Sequence, residues 1–283
     1  MKLIECPRDA MQGLANFIPT ATKTAYLNAL LRVGFDALDF GSFVSPKAIP
    51  QLRDTAEVLA GLDLSQTKTR LLAIVANQRG AEAALQHPEI SYLGFPLSVS
   101  ATFQRRNTNQ TTTEALADVA AMRERCERTG KTLVVYLSMG FGNPYGDPWS
   151  PAIVTDFTQR LAAQGVRIVA LSDTVGASTT ATIAPLFSAL IPAFPAIEFG
   201  AHLHTTSTTW REKVAAAYAA GCRRFDGAIG GFGGCPMAAD ELTGNMATEN
   251  LLAFLDEQGV AAGVNPAAFA QAQAAARDVF AFH

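Results

Sequence analysis

The chain has 283 residues, of which 49% are hydrophobic, and a formal net charge of −3 at pH 7. It shows no basic patch for nucleic acid or anionic membranes, and no apolar run of the roughly 18–20 residues that cross a bilayer. The N-terminus lacks the apolar core of a signal peptide, which predicts a cytoplasmic location, and four scattered cysteines argue against a zinc knuckle or a disulfide framework.

Eight short β-rich runs alternate with longer amphipathic stretches. The runs cover residues 2–6, 37–43, 71–76, 90–96, 132–139, 167–173, 197–204 and 222–229. The predicted helices cover residues 21–34, 46–60, 78–86, 112–129, 151–164, 179–193, 207–220 and 246–258, and a ninth covers 264–282. Eight repeats without a long linker predict a single TIM (β/α)₈-barrel domain over residues 1–283, with a C-terminal helical extension.

Helix boundary signals support this count. Ser150-Pro151 is typical of a helix start, and Gly130, Gly165 and Gly221 each end a helix before the next strand. The alternative is an open doubly wound sheet. Such a sheet usually has a glycine-rich first turn, whereas the first turn here reads CPRDAMQGL.

In a barrel of this kind the site lies at the carboxyl ends of the strands. Polar residues collect at those ends in this sequence. They are Arg8 and Asp9 after strand one, Asp39 and Ser42 at strand two, Ser172, Asp173 and Thr174 at strand six, and His202 and His204 at strand seven.

His202 and His204 are two residues apart on a strand, so both imidazoles face the same side. Two hydrogen-bonded histidines at the barrel rim would give the same pattern. With Asp9 and Asn245 as partners, however, the set predicts a catalytic divalent metal site. Mixed nitrogen and oxygen ligands favour Mg²⁺ or Mn²⁺, and Zn²⁺ or Co²⁺ are also compatible.

Two further features carry candidate chemistry. Arg8 beside Asp9 can stabilise an oxyanion on the substrate, or else form a salt bridge to Asp9 or Asp173 that only holds the rim together. The glycine-rich stretch 227–244 is either a surface loop or a lid that delivers Cys235 for proton exchange. Arg105 and Arg106, predicted to lie in a loop after strand four, either bind phosphate groups or are solvated.

The segments CPRDAMQ, GSFVSPKAIPQL, LSDTVG, HLH, GGFGGCP and TGNMATEN resemble, in this order and spacing, the 3-hydroxy-3-methylglutaryl-CoA lyase family. The resemblance covers residues 2 to about 270. It implies a metal-dependent lyase that splits a carbon–carbon bond of a 3-hydroxyacyl-CoA, giving a keto acid and an acyl-CoA, and working as a homodimer. The implied metal ligands are Asp9, His202, His204 and Asn245, the implied catalytic groups include Arg8 and Cys235, and other implied pocket positions are Gln12, Ser42 and Asp173.

The implied reaction begins with removal of the substrate's hydroxyl proton by Asp9 or His202. The alkoxide then collapses to a ketone, Arg8 stabilises the departing thioester enolate, and Cys235 protonates the enolate carbon.

The sequence departs from the family pattern in four places. Asp39, which we count with the substrate-binding candidates, replaces a glutamate, Val134 replaces an arginine, Thr205 replaces an acidic or amide residue, and RDAMQGL replaces RDGLQNE. These changes predict a different 3-hydroxyacyl-CoA and an altered acyl end of the pocket. Two alternatives stay open: a Claisen-type synthase on the same barrel and a non-catalytic acyl-CoA-binding homologue.

Overall fold

The computed structural model describes residues 1–234 and 243–280. Eight parallel strands close into a barrel in the order β1 to β8. The strands are β1 (Lys2–Glu5), β2 (Ala37–Ser42), β3 (Arg70–Ile74), β4 (Ile90–Ser98), β5 (Thr132–Ser138), β6 (Ile168–Ser172), β7 (Glu198–His202) and β8 (Arg224–Gly227). Each falls within or within two residues of a predicted run, so the predicted barrel is confirmed.

The helices surround the barrel. They are α1 (Pro7–Met11), α2 (Thr20–Leu31), α3 (Thr55–Ala60), α4 (Gln78–Leu85), α5 (Ala101–Thr108), α6 (Thr112–Arg128), α7 (Pro151–Ala163), α8 (Thr180–Ala193), α9 (Trp210–Ala219), α10 (Thr248–Glu257) and α11 (Pro266–Phe280). None of the helices in the described ranges is long and apolar enough to cross a membrane.

Local sequence explains where several helices begin and end. The Ser150 hydroxyl accepts the Ile153 amide at the start of α7, and Pro151 occupies its first turn. Gly130, Gly165 and Gly221 have positive φ angles, a conformation that costs glycine little. The predicted signals at these helix boundaries are confirmed.

Three helical predictions need correction. The predicted helix 46–60 is a short 3₁₀ turn at Pro50–Leu52 followed by α3. Pro50 lacks the amide N–H that would bond to residue 46 in a continuous helix. Two helices that were not predicted, α1 and α5, follow β1 and β4. Helix α5 begins where the Ser100 hydroxyl accepts the Phe103 amide, and it contains both Arg105 and Arg106, so these arginines do not lie in a loop.

The core has two parts, because parallel barrel strands are covered on both faces. The larger part lies between strands and helices, and the smaller fills the barrel interior with residues such as Ile4, Leu72, Val134 and Ala170. Helix α11 closes the outside by packing on α2, where Tyr26 and Phe280 meet edge to face with ring centroids 6.2 Å apart. The filled interior leaves the carboxyl ends of the strands as the concave surface.

Candidate metal centre and active site

The ends of β1 and β7 bring one carboxylate and two imidazoles together. Asp9 lies in α1 directly after β1, His202 ends β7, and His204 follows two residues later. One ligand atom from each of the three side chains lies within 4.8 Å of the other two. Asp9 and His204 are buried and His202 is half-buried. A single cation could therefore contact all three residues.

Asn245 lies beside this triangle. It forms an isolated antiparallel bridge with His204, and its Nδ2 donates to Asp9 Oδ2 at 2.8 Å and to the Phe232 carbonyl at 2.9 Å. The amide oxygen of the same side chain is a suitable ligand for a hard cation. The fold thus places the four residues predicted as metal ligands next to one another.

The charges of these groups suit a cation. Burial and the nearby His202 lower the pKa of His204 to about 4, so its imidazole is neutral at pH 7, and its buried Nδ1 has no hydrogen-bond partner among the described residues. Burial raises the pKa of Asp9, but Arg8, His202 and His204 outweigh burial and lower it to about 2. A neutral imidazole and an ionised carboxylate are the forms in which these residues bind metal.

Asp226 is a site residue that the sequence analysis missed. It pairs with His202 in the register of β7 and β8, and its Oδ2 lies 3.2 Å from His202 Nδ1. Burial lowers the pKa of His202, but the hydrogen bond and charge of Asp226 outweigh burial and raise it. A carboxylate behind a metal-binding histidine fixes which ring nitrogen faces the metal. The available signal was an inward-facing aspartate within the otherwise apolar end of strand eight.

Arg8 is held from two sides. Its Nε and Nη2 donate to Asp39 at 3.0 and 2.6 Å, while its Nη1 donates to Asp9 and Gln12, both at 2.9 Å. Burial lowers the pKa of Arg8, but the carboxylates of Asp39 and Asp9 outweigh it and raise the pKa. The salt bridge to Asp9 is present and the one to Asp173 is not among the described ion pairs. Of the five guanidinium N–H groups these bonds use four, which leaves one on Nη2 for another acceptor.

A cavity opens above these groups. Its polar wall contains Arg8, Asp9, Gln12, His202 and His204 together with Ser138, Ser172, Thr174 and Asn107. The apolar part of the lining is formed by Val44, Ala48, Ile49, Ile74, Ala76, Pro96, Phe103 and the ring of Tyr136. A polar floor beside an apolar wall suits an acyl chain that ends in oxygen-bearing groups.

Several predicted substrate-binding residues lie behind the cavity wall. The Ser42 hydroxyl accepts the Val44 amide, and Asp173 is bound by Ser178 and by Lys213, which the sequence analysis did not single out. Asp39 reaches the cavity only through Arg8. None of these three is among the lining residues.

Two residues that depart from the family pattern, Val134 and Thr205, also lie away from the cavity surface. Val134 packs inside the barrel, and the Thr205 amide donates to the Gly244 carbonyl at 2.9 Å. Neither lines the cavity. The side chains at positions 39, 134 and 205 therefore do not line the cavity themselves. Their effect on the acyl end of the pocket stays a prediction.

Arg105 and Arg106 are exposed in the last turn of α5, and the Arg106 guanidinium lies 4.9 Å from the centre of the Tyr145 ring. Phe103 and Asn107 of the same helix line the cavity, whereas the two arginines do not. Phosphate binding by them stays a prediction. Cys235 and its proposed lid role lie outside the described residues.

Comparisons with known proteins agree with this geometry. The HMGL-like family model matches residues 3–275. The chain is 34% identical to a hydroxymethylglutaryl-CoA lyase of Bacillus subtilis, over 91% of this chain and 85% of the relative, and 30% identical to the (R)-citramalyl-CoA lyase of Chloroflexus aurantiacus, over 92% and 84%. Among solved structures, an HMG-CoA lyase from Acinetobacter baumannii in complex with coenzyme A and 3-methylmalate superposes with a TM-score of 0.91 at 29% identity, covering 98% of this chain and 90% of that one.

Proposed function

Because the chain belongs to the HMGL-like family, we propose that it is a divalent-metal-dependent lyase acting on a 3-hydroxyacyl-CoA related to 3-hydroxy-3-methylglutaryl-CoA. It cleaves the carbon–carbon bond next to the hydroxyl-bearing carbon and releases a keto acid and an acyl-CoA. The observation that carries this proposal is the convergence of Asp9, His202 and His204 within 4.8 Å at the floor of the cavity.

In the proposed site Asp9, His202, His204 and Asn245 hold the metal. A divalent cation at this position would act as a Lewis acid and lower the pKa of the substrate's hydroxyl group. We propose Mg²⁺ or Mn²⁺, since the candidate ligands are two imidazoles, a carboxylate and an amide, with no thiolate among them. This donor set disfavours soft metals that prefer thiolate ligands.

Arg8 is the proposed oxyanion-stabilising residue. Asp39 grips one edge of the guanidinium and Asp9 and Gln12 bind Nη1, so the cation is fixed before the substrate arrives. A donor fixed in advance costs no reorganisation when negative charge develops on the thioester oxygen. The salt bridges of Arg8 and its proposed catalytic role are therefore compatible, because the salt bridges hold the guanidinium in place for the oxyanion.

The proton acceptor for the substrate's hydroxyl group is Asp9 or His202, since both face the same part of the cavity. His202 is supported from behind by Asp226, which orients its ring. His202 depends on Asp226 for its orientation, whereas Asp9 does not. A variant of Asp226 therefore tests His202 as the proton acceptor.

The apolar wall bears on the substrate class. Five described aliphatic or aromatic side chains, Val44, Ile49, Ile74, Pro96 and Phe103, form an apolar wall in the same cavity as the polar groups. Such a wall accommodates an alkyl substituent on C3 and the thioester arm more readily than a second charged group. We propose that the acyl group presents its hydroxyl and carboxylate oxygens to the floor and its alkyl carbon to this wall.

The test is a metal-restoration assay on chelator-treated protein with 3-hydroxy-3-methylglutaryl-CoA and (R)-citramalyl-CoA. Keto acid release from at least one of them, dependent on Mg²⁺ or Mn²⁺, is the expected result. Turnover without metal contradicts the mechanism. Binding without turnover favours the non-catalytic acyl-CoA-binding alternative, and net bond formation favours a synthase. The curated relatives described above are lyases, and the synthase alternative is not favoured.

His204→Ala tests the metal centre directly. We expect this variant to lose bound metal in elemental analysis, because one of three converging ligands is gone. His87→Ala is the matched control, since His87 packs against Phe43 and does not belong to the Asp9–His202–His204 group. Full metal content in His204→Ala would remove His204 from the ligand set. Sedimentation of the same samples tests the homodimer that the family resemblance implies.

A further inference from the structure

Lys213 is a buried cation behind the site, with only 2% of its surface exposed. It extends from α9 toward the carboxyl ends of β6 and β7. Its Nζ donates to Asp173 Oδ2 at 2.8 Å, to the His204 carbonyl at 2.9 Å and to the Gly176 carbonyl at 3.0 Å. An ammonium group has three donors, so these three acceptors satisfy it completely.

The three acceptors belong to three separate parts of the rim. Asp173 follows β6, Gly176 lies in the turn before α8, and His204 follows β7. Asp173 is itself fixed, because the amide and hydroxyl of Ser178 donate to its carboxylate. The backbone ladder between β6 and β7 ends where the Asp173 amide donates to the His202 carbonyl at 2.9 Å. Lys213 therefore adds a side-chain link between the turn after β6 and the peptide of His204, just beyond that ladder.

The segment fixed by Lys213 also supports Asn245. The Thr205 amide donates to the Gly244 carbonyl at 2.9 Å, and the Met246 amide donates to the Leu203 carbonyl at 3.0 Å. These bonds place residues 244–246 along residues 203–205. A displacement of the His204 peptide would move both His204 and Asn245, which are two of the four proposed metal ligands.

We propose that Lys213 is a positioning residue that sets the geometry of the metal centre by fixing the His204 peptide. This inference rests on the metal site of the proposed function and adds to it a group that contacts neither metal nor substrate. The ion pair with Asp173 balances the buried charge of Lys213. The bond to the His204 carbonyl gives it a second role.

Two roles of Lys213 can be separated by a double substitution. Lys213→Met alone leaves Asp173 buried without its counter-charge, which is strongly destabilising. Lys213→Met/Asp173→Asn removes both charges, so we expect the folded state to regain much of its stability. The His204 and Gly176 carbonyls still lack their donor in this double variant.

The measurement is Mn²⁺ affinity by calorimetric titration, together with the midpoint of thermal unfolding. We expect the double variant to bind Mn²⁺ roughly 10–100-fold more weakly than the wild type, the size seen when partners of metal ligands are removed. Lys213→Gln in the Asp173→Asn background retains amide donors for the carbonyls and should recover part of that affinity. This rescue variant also decides the matter should the first double variant fail to fold.

Lys23 provides a matched control. It is also a buried lysine, 1% exposed, and it pairs with Asp54 at 2.7 Å and with the Gln51 carbonyl, away from the metal centre. Lys23→Met/Asp54→Asn should change stability without changing Mn²⁺ affinity. Wild-type affinity in Lys213→Met/Asp173→Asn, or equal losses in both double variants, overturns the positioning role alone. Absence of Mn²⁺ binding by the wild type overturns the proposed metal centre, and the positioning role with it.

Discussion

His202 and Asp226 face each other across neighbouring strands, with Nδ1 of the imidazole 3.2 Å from Oδ2 of the carboxylate. The contact turns the other ring nitrogen, Nε2, toward Asp9, whose Oδ2 lies 4.0 Å away. One side of the ring is thus held by the barrel interior and the other faces the proposed metal. The barrel wall, rather than the surface loops, sets the orientation of this ligand.

The first prediction concerns that contact. Asp226→Asn removes the negative charge behind His202 while keeping the shape of the side chain. We expect the dissociation constant for Mn²⁺ to rise about 10–100-fold, because the ring is held less firmly and its nitrogen is a weaker ligand. Calorimetric titration measures the change. Glu198→Gln, at the opposite end of β7, should leave it unaltered, and equal affinities in all three proteins would contradict the role of Asp226.

Arg8→Lys tests the fixed guanidinium. Lysine keeps the positive charge but cannot grip Asp39 with two donors while it reaches Asp9 and Gln12. The turnover number should fall by roughly 10²–10³-fold, the effect of losing a donor to a developing oxyanion, with a smaller change in KM. Steady-state keto acid release measures both constants. Arg128→Lys, on the exposed end of α6, is the control; a similar turnover number in the two variants would reduce Arg8 to a structural salt bridge.

Glu5 predicts an unusual pH dependence of stability. Its buried carboxyl group accepts from the Ile229 amide and the Thr248 hydroxyl, and burial outweighs these bonds and raises its pKa to about 8. Between pH 4.5 and about 8 the native state holds a proton that the unfolded state has released. In that pH range the contribution of Glu5 to the free energy of unfolding therefore decreases as the pH rises.

Glu5→Gln should remove this dependence, because the amide keeps the shape of the group and never ionises. Urea unfolding at pH 5, 6.5 and 8 measures the free energy of unfolding in each protein. We expect the variant to gain stability relative to the wild type as the pH rises toward about 8. Glu212→Gln, on the exposed side of α9, serves as control. Parallel pH profiles for wild type and Glu5→Gln would show that Glu5 ionises normally.

Arg106 and Arg105 test the prediction of phosphate binding. If they bind the phosphates of the acyl-CoA, each alanine variant should raise KM up to about fivefold, the size of one exposed ion pair, with the turnover number unchanged. The effect should shrink at high salt, since exposed charges are screened. Steady-state kinetics at two salt concentrations supply the measurement. Arg106 also packs on Tyr145, so a salt-independent loss in that variant alone would point to helix packing instead.

The sequence by itself determined the barrel and named the residues of the proposed metal centre. Strand and helix periodicities and helix-ending glycines such as Gly165 are local signals. Eight strand–helix repeats in series are compatible with few folds. His202 and His204 could be predicted as a pair because alternate residues of a strand share a face. Asp9 could be named because it follows strand one at the carboxyl end of the predicted barrel, and the family resemblance implies both Asp9 and Asn245 as ligands, although they are far apart along the chain.

Tertiary structure decided which side chains support that centre. Asp226 and Lys213 are ordinary charged residues in the sequence, and only strand register and helix packing place them behind His202 and the His204 peptide. The same holds for Asp39, which faces Arg8 and not the cavity. Local sequence records the conformation of each segment, whereas these contacts depend on the stagger and closure of the barrel, which join residues far apart in the chain.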